Sequence, residues 1–133
     1  MLANHLLQLL ALTAIEPPVA FDAHAVREQK VRVFRSIRPM RVEDVGRFTA
    51  RGQYGSGVID GKPVPAYRQE PGVDPSSITE TYAAARFQIE NWRWAGVPFY
   101  IRTGKRLARN LTEIRVPLKP NVTGLVCEQV VGR

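Results

Sequence analysis

The sequence predicts an α+β fold, with N-terminal helices followed by a mainly antiparallel sheet. Apolar residues follow a helical period only before Pro39, and beyond Gly46 glycines and alternating apolar residues take over. The alternating segments are separated by short turns, and neighbouring strands joined in this way pair antiparallel. Helices followed by strands are typical of the α+β class. The 133 residues suffice for one domain with its own core.

Two helices are expected. Residues 2–15 are apolar on nearly all sides, which indicates a buried helix, and Pro17 and Pro18 end it. Asp22 can cap a second helix, Ala23–Arg38, which Pro39 stops. Within it, residues 31–34 could equally form a strand.

Strands are expected at Thr79–Trp92, Val97–Arg102 and Thr112–Leu118. In the first of these, Phe87 and Ile89 lie on one face and polar residues on the other, which predicts a sheet with one buried face. Residues 47–61 hold strand residues punctuated by glycines, and the proline-rich residues 62–77 predict an ordered surface loop.

The chain is strongly basic, with a net charge of +7 and a pI near 10.2. Such a balance favours nucleic acid, a phosphorylated metabolite or an acidic membrane face as partner, against the alternative of an arginine-rich composition without a ligand. The single cysteine, Cys127, excludes an internal disulfide and favours a reducing compartment. The apolar N-terminus is too short to span a bilayer and has no positive leader, so a signal peptide is not expected.

Motifs for cofactors and metals are absent. The glycines at 52, 55 and 57 have the wrong order for a dinucleotide fingerprint and no predicted helix follows them. No Walker A sequence occurs, and the two histidines and one cysteine lie too far apart for metal-ligand spacing. No metal is therefore expected.

His5 is the residue best suited to acid–base chemistry, because imidazole titrates near neutrality. A catalytic histidine needs a carboxylate to orient it, and none lies nearby in the sequence. From the pattern alone, a hydrogen-bonded core histidine is favoured over a general base. Gln8 is expected to share its helix face.

A basic cluster closes the second strand. Lys105 follows Gly104, with Arg102, Arg106 and Arg109 around it. A lysine at a strand end can bind a phosphate as a point charge, while arginines grip it in a fork. A solvated hairpin tip and a nucleic-acid site are the alternatives. Trp92 and Trp94 alternate along the predicted strand, and core packing is favoured for them over base stacking.

The segments "NHLLQLLAL", "RGQYGSG", "AYRQEPGVDPSSITET", "TETYAAARFQIENWRWAGVPFYIRTGKRL" and "TEIRVPLKP" occur in this order. Together they resemble part of the C-terminal domain of glucose-6-phosphate dehydrogenases over Met1–Pro120, and the resemblance implies an incomplete piece of a larger helix-plus-sheet domain. It leaves residues 121–133 as an unmatched tail.

The resemblance implies oxidation of glucose 6-phosphate to 6-phosphogluconolactone with NADP, in the pentose phosphate pathway of the cytoplasm. His5 would be the base that takes the C1 hydroxyl proton, and Lys105 would bind the sugar phosphate. A second basic residue of the family falls at Asn110, and Arg109 beside it could substitute. Arg102 would lie near a second, structural NADP.

The resemblance also implies that parts of the family's enzyme are missing from this sequence. The family's Rossmann domain, with the main NADP site and a "DHYLGKE"-type substrate segment, has no counterpart here, as in a truncated or split gene. The chain alone is therefore expected to be inactive. The alternative is a non-catalytic module that oligomerises through its sheet or complements a separately encoded N-terminal half, with no nucleic acid or membrane as partner.

Overall fold

The structure, a computed structural model, describes residues 5–107, 109 and 111–117, and the backbone of residues 128–131. Its helices are α1 (Leu7–Ala14), α2 (Ala23–Ser36) and α3 (Val42–Phe48). Its strands are β1 (Thr49–Gly52), β2 (Gly57–Ile59), β3 (Lys62–Val64), β4 (Tyr82–Gln88), β5 (Pro98–Gly104), β6 (Ile114–Pro117) and β7 (Glu128–Val131). The predicted α+β class is confirmed. The predictions for Asn110 and Cys127 lie outside the described residues.

The strands form antiparallel ladders. A three-stranded sheet has the order β1-β4-β5, and β2-β3 and β6-β7 form separate two-stranded sheets. In the central ladder Phe87 pairs with Phe99 and Ala85 with Ile101. The odd-numbered side chains of β4 and β5 therefore share one face of the sheet, as the alternation predicts.

Helix α1 covers that face with one side only. Its buried residues are Leu10, Ala11 and Ala14, whereas His5, Gln8 and Leu12 are exposed. The prediction of a helix buried on nearly all sides is therefore wrong. Leucines surround the helix, but among the described residues α1 packs against α2, the sheet and Trp94 on one side, so tertiary packing rather than composition decides which residues are covered.

Helix α2 begins as predicted, because the Asp22 carboxylate accepts hydrogen bonds from the amides of His24 and Ala25 at 2.8 and 2.9 Å. It ends at Ser36, before the predicted Arg38. Ile37 leaves the helix to form an antiparallel bridge with Ile89. The backbone therefore pairs with the sheet at the point where the helix was expected to continue.

The region after Pro39 departs most from prediction. Helix α3 was not expected, and none of its residues is buried, so it has no apolar period to reveal it. The proline-rich segment predicted as a loop contributes β3 and a short 3₁₀ turn at Tyr67–Gln69. β2 and β3 join through Asp60 and Gly61, both with positive φ, which a tight hairpin turn requires.

The two tryptophans lie in a turn rather than on a strand, contrary to the prediction of alternation. The Asn91 side chain accepts from the Trp94 amide at 2.9 Å and closes the turn. Trp94 packs edge-on against Phe99 at 5.1 Å, and its indole Nε1 donates to the carbonyl of Ala14 at 3.0 Å. Trp92 is fully exposed. Core packing is thus confirmed for Trp94 and wrong for Trp92.

An ion pair reinforces the junction between this turn and α1. Arg93 donates from Nε and Nη2 to both carboxylate oxygens of Glu16, at 2.7 and 2.9 Å. This hydrogen bonding lowers the pKa of Glu16, so the carboxylate stays ionised into mild acid. Both side chains are about half exposed, so the pair orients the turn more than it stabilises the fold.

Ile89 is the most deeply buried large side chain, at 1% exposure, and it joins the helices to the sheet. We expect Ile89→Ala to lower the free energy of unfolding by about 2–5 kcal/mol through lost burial and a residual cavity. Urea denaturation measures the loss. Ile78→Ala is the matched control, since Ile78 is 86% exposed and its loss should stay within about 0.5 kcal/mol. Equal losses in the two variants would contradict this account of the core.

Candidate functional site

The basic end of β5 is attached to the start of β4 through Thr81. Lys105 directly follows β5, and its amide donates to the Thr81 carbonyl at 2.8 Å. This bond continues the ladder in which Tyr82 pairs with Gly104. The Lys105 side chain is exposed. Its backbone is therefore fixed by the sheet while its ammonium group is available to a ligand.

Thr81 is the buried polar residue at this end of the sheet, with 4% exposure. Its amide donates to the carbonyl of Gly52 at 2.9 Å, and its hydroxyl accepts from the amide of Tyr54 at 2.9 Å. Together with the bond to Lys105, these contacts join the segment after β1 to the segment after β5. Thr81 is thus a positioning residue for Lys105, which the sequence pattern did not reveal.

Arg106 is held in a structural ion pair. Its Nη2 lies 2.6 Å from Glu70 Oε1, and its guanidinium lies 5.6 Å from the centre of the Tyr54 ring. The Tyr54 hydroxyl also lies 3.3 Å from Glu70 Oε1 and donates to it. The Arg106 φ of 52° shows that the chain turns sharply here. Arg106 therefore fastens the turn and is not a free cation beside Lys105.

Gly104 is required by close packing at the same turn. A Cβ atom at this position would lie 3.0 Å from Tyr82 Cδ2 and 3.2 Å from Leu107 Cδ2. The approach of Tyr82 and Leu107 therefore depends on the missing side chain. This packing constrains the backbone that leads into Lys105.

The remaining predicted cations, Arg102 and Arg109, are exposed and do not form one cluster with Lys105. Arg102 lies opposite Ala84 on the even-numbered face of the sheet, whereas Lys105 occupies the odd-numbered register position opposite Thr81. Arg109 is exposed beyond the turn. Among the described residues, Lys105, Arg102 and Arg109 have no carboxylate within salt-bridge distance. The predicted basic cluster is thus not one site. Lys105 and Arg102 have register positions on opposite faces of the sheet, and Arg106 is held in its ion pair with Glu70.

His5 lies exposed in the turn that precedes α1, so the prediction of a core histidine is wrong. Gln8, on the same exposed side, accepts a hydrogen bond from Lys30 Nζ at 3.0 Å. Within the part of the chain that is described, no hydrogen bond or ion pair joins His5 to a carboxylate or to Lys105. α1 nevertheless covers the odd-numbered face of the sheet, on which Lys105 has its register position.

The described residues offer neither a dinucleotide motif nor a metal site. Gly52 ends β1 and Gly57 begins β2, with no helix following them as a dinucleotide fingerprint requires. No group of histidine, cysteine and acidic side chains that could hold a metal ion occurs among the described residues. None of their helices is both long and apolar enough to cross a membrane.

Comparison with known proteins gives one consistent result. The family model for the glucose-6-phosphate dehydrogenase C-terminal domain matches residues 1–131, past the Pro120 where the resemblance was placed. Glucose-6-phosphate 1-dehydrogenases from Bacillus subtilis and Aggregatibacter actinomycetemcomitans are 50% and 52% identical over 119 residues, covering 90% of this chain and 24% of each relative. The chain thus spans about a quarter of the length of the curated relatives that it matches.

A solved structure of a glucose-6-phosphate dehydrogenase in complex with its substrate glucose-6-phosphate superposes on the fold with a TM-score of 0.82. The two proteins are 37% identical, and the match covers 99% of this chain and 27% of the other.

The Thr81 hydroxyl can be removed with little change in shape. We expect Thr81→Val to lower the free energy of unfolding by about 1–3 kcal/mol, because the Tyr54 amide loses its acceptor. Urea unfolding measures the loss, and hydrogen exchange of the Tyr54 amide reports the missing acceptor. Thr112→Val at an exposed position is the control. Unchanged exchange at Tyr54 would show that the Thr81 hydroxyl does not hold this amide.

Proposed function

The chain belongs to the glucose-6-phosphate dehydrogenase family, through the C-terminal domain, and from this premise we propose that it carries the sugar-phosphate side of a site oxidising glucose 6-phosphate at C1. The observation that carries the proposal is Lys105. Its backbone is bound to the buried Thr81 while its ammonium group is exposed and has no carboxylate partner among the described residues. A fixed cation without a counter-ion is suited to a phosphate.

Lys105 would bind the phosphate of the substrate as a point charge. Arg106 cannot contribute without breaking its pair with Glu70. Arg109 is exposed and two positions beyond the folded turn, so it could supply the second cation, with Asn110 as a neutral hydrogen-bonding neighbour. The phosphate would thus be bound by one fixed and one adaptable cation.

His5 would act at the other end of the sugar, as the base that removes the proton of the C1 hydroxyl. A neutral imidazole nitrogen accepts that proton at physiological pH. The exposed position of His5 leaves the ring open to substrate. A carboxylate to orient the ring would have to come from outside the described residues.

NADP would accept the hydride lost from C1, but the described residues do not fit its main site. The glycines between β1 and β2 lead into no helix, so there is no helix N-terminus for a pyrophosphate. We infer that the main site belongs to a separate N-terminal domain. Arg102, exposed on the even-numbered face of the sheet, would contact a structural NADP. A phosphorylated-sugar substrate also favours a cytoplasmic location and a role in the pentose phosphate pathway.

Substrate binding tests the proposal directly. We expect glucose 6-phosphate to bind the 133-residue chain saturably, and Lys105→Ala to weaken binding at least about tenfold through loss of a charge-assisted contact. Isothermal titration calorimetry at constant ionic strength measures both. Lys62→Ala, an exposed lysine in the β2-β3 hairpin, removes the same charge elsewhere and should change binding less than about twofold. Absence of saturable binding, or equal effects of both lysines, would contradict the proposal.

The same chain should not reduce NADP in the presence of glucose 6-phosphate above the level of a His5→Ala control, because catalysis needs pre-organised partners for the base and the cofactor. Turnover that disappears in His5→Ala would refute the expected inactivity and support the role of His5.

A second candidate is a non-catalytic module that assembles through the sheet. β5 is an edge strand of the three-stranded sheet, and Tyr100 on it is 73% exposed. Unpaired edges can add a strand from another chain or another copy.

We expect a homo-oligomer of the chain in sedimentation equilibrium. The Lys105 amide donates toward β4, so along β5 the amides of odd-numbered residues face β4 and those of even-numbered residues face the open edge. We therefore expect Tyr100→Pro to dissociate the oligomer by removing a backbone donor from that edge. Val58→Pro on β2 is the control for loss of fold, followed by circular dichroism. A monomeric wild-type chain would remove this candidate as a self-assembling module.

A further inference from the structure

A groove on the opposite face of the sheet from α1 is not used by the proposed substrate site. It has a volume of about 240 Å³ and lies where the end of α2, α3 and β4 meet. Its polar lining residues are Arg38, Asp44, Arg47, Arg86 and Gln88. None of them belongs to the site around Lys105 and His5. Three of these five polar residues are arginines, so the groove carries an excess of positive charge.

Arg86 lies at the centre of this groove, between two aromatic rings. Arg86 pairs with Tyr100 in the β4-β5 ladder. Phe48 directly precedes β1, at the position that the β1-β4 register places opposite Arg86. Its guanidinium carbon lies 5.3 Å from the Phe48 ring centre and 6.0 Å from that of Tyr100. These contacts hold the cation in place. Its Nε atom is buried and has no hydrogen-bond partner. Solvent does not reach this atom, so a ligand in the groove would have to bind the terminal nitrogens of Arg86.

Arg47 places a second guanidinium on the same phenyl ring, 5.2 Å from its centre. Neither Arg47 nor Arg86 has a carboxylate within 4.0 Å among the described residues. Two like charges near one ring repel each other, and a bound anion would offset this repulsion. Arg38 differs, because it is paired with Glu90 at 3.6 Å and donates to Gln88 Oε1 at 3.3 Å. The uncompensated charge is therefore that of Arg47 and Arg86, opposed only by Asp44.

We propose that this groove binds a compact phosphate oxyanion between Arg47 and Arg86. Guanidinium groups match tetrahedral oxyanions with forked hydrogen bonds, and the terminal nitrogens of Arg47 and Arg86 would donate them. A nucleotide base is disfavoured, because the Phe48 and Tyr100 ring faces already carry the guanidiniums. The ligand is thus a free phosphate or a small phosphomonoester, held on the face of the sheet that α1 does not cover.

The test is a titration of the ¹⁵N-labelled chain with inorganic phosphate, with sodium chloride adjusted to keep the ionic strength constant. We expect a saturable shift of the Arg86 Nε–H resonance. Arg47→Gln, at an exposed position, should weaken binding at least about tenfold, while Arg32→Gln, which removes the same charge from the exposed side of α2, should change it less than about twofold. Asp44→Asn should tighten binding, because it removes the opposing charge.

A parallel titration with glycerol phosphate distinguishes the sources of the ligand, since tighter binding than inorganic phosphate assigns a phosphomonoester and weaker binding assigns the free ion. Arg47→Gln leaves Lys105 intact, so loss of phosphate binding at Arg86 with retained glucose 6-phosphate binding separates this site from the proposed substrate site. A shift of Arg86 that fails to saturate, or that is the same in Arg47→Gln and Arg32→Gln, would overturn the proposal. Thermal unfolding with and without phosphate serves as the second measurement, and a stabilisation retained in Arg47→Gln would also count against it.

Discussion

The structure depends on the burial of one face of β4. Ala85 and Ile89 are buried there, and Phe87 packs between them on the same side, beneath α1 and α2. Few large side chains are fully covered, so the stability of the domain rests on a small number of contacts. Among the described residues α2 is the helix that packs against α1, and the indole of Trp94 bonded to the carbonyl of Ala14 holds the C-terminal end of α1 against the sheet. The strand also sets the register from which both candidate sites are built.

Electrostatics divide the arginines and lysines into two groups. Arg51, Arg93 and Arg106 each lie within hydrogen-bond distance of a carboxylate, and they fasten loops to strands or to α1. Lys105, Arg47 and Arg86 have no such partner among the described residues, although the backbone of Lys105 is bonded to Thr81 and both guanidiniums lie against the Phe48 ring. Because the chain carries a net charge of +7, such unpaired cations are expected, but their fixed positions are not. Fixed, unpaired cations are the groups to which anionic ligands bind most selectively.

The two candidate sites lie on opposite faces of the same sheet. Lys105 follows the odd-numbered register that α1 covers, whereas Arg86 and Tyr100 lie on the even-numbered face. Ala84 and Arg102 form the neighbouring pair on that second face, next to the row of Arg86. An anion bound between Arg47 and Arg86 would therefore act on the strand that also ends at Lys105.

Sequence patterns alone predicted the fold class, the cap of α2 at Asp22 and the buried face of β4, all of which the structure contains. These follow from local rules, because a capping carboxylate and a period of two act within a few residues. α3 escaped prediction because none of its residues is buried. Tertiary contacts decided three further points. They selected Trp94 over Trp92 for burial, Arg106 over Lys105 for ion pairing, and the side of α1 that is covered. In each case neighbouring residues have the same chemistry, and what separates them is a distant partner: Ala14 for Trp94, Glu70 for Arg106, and the sheet for α1.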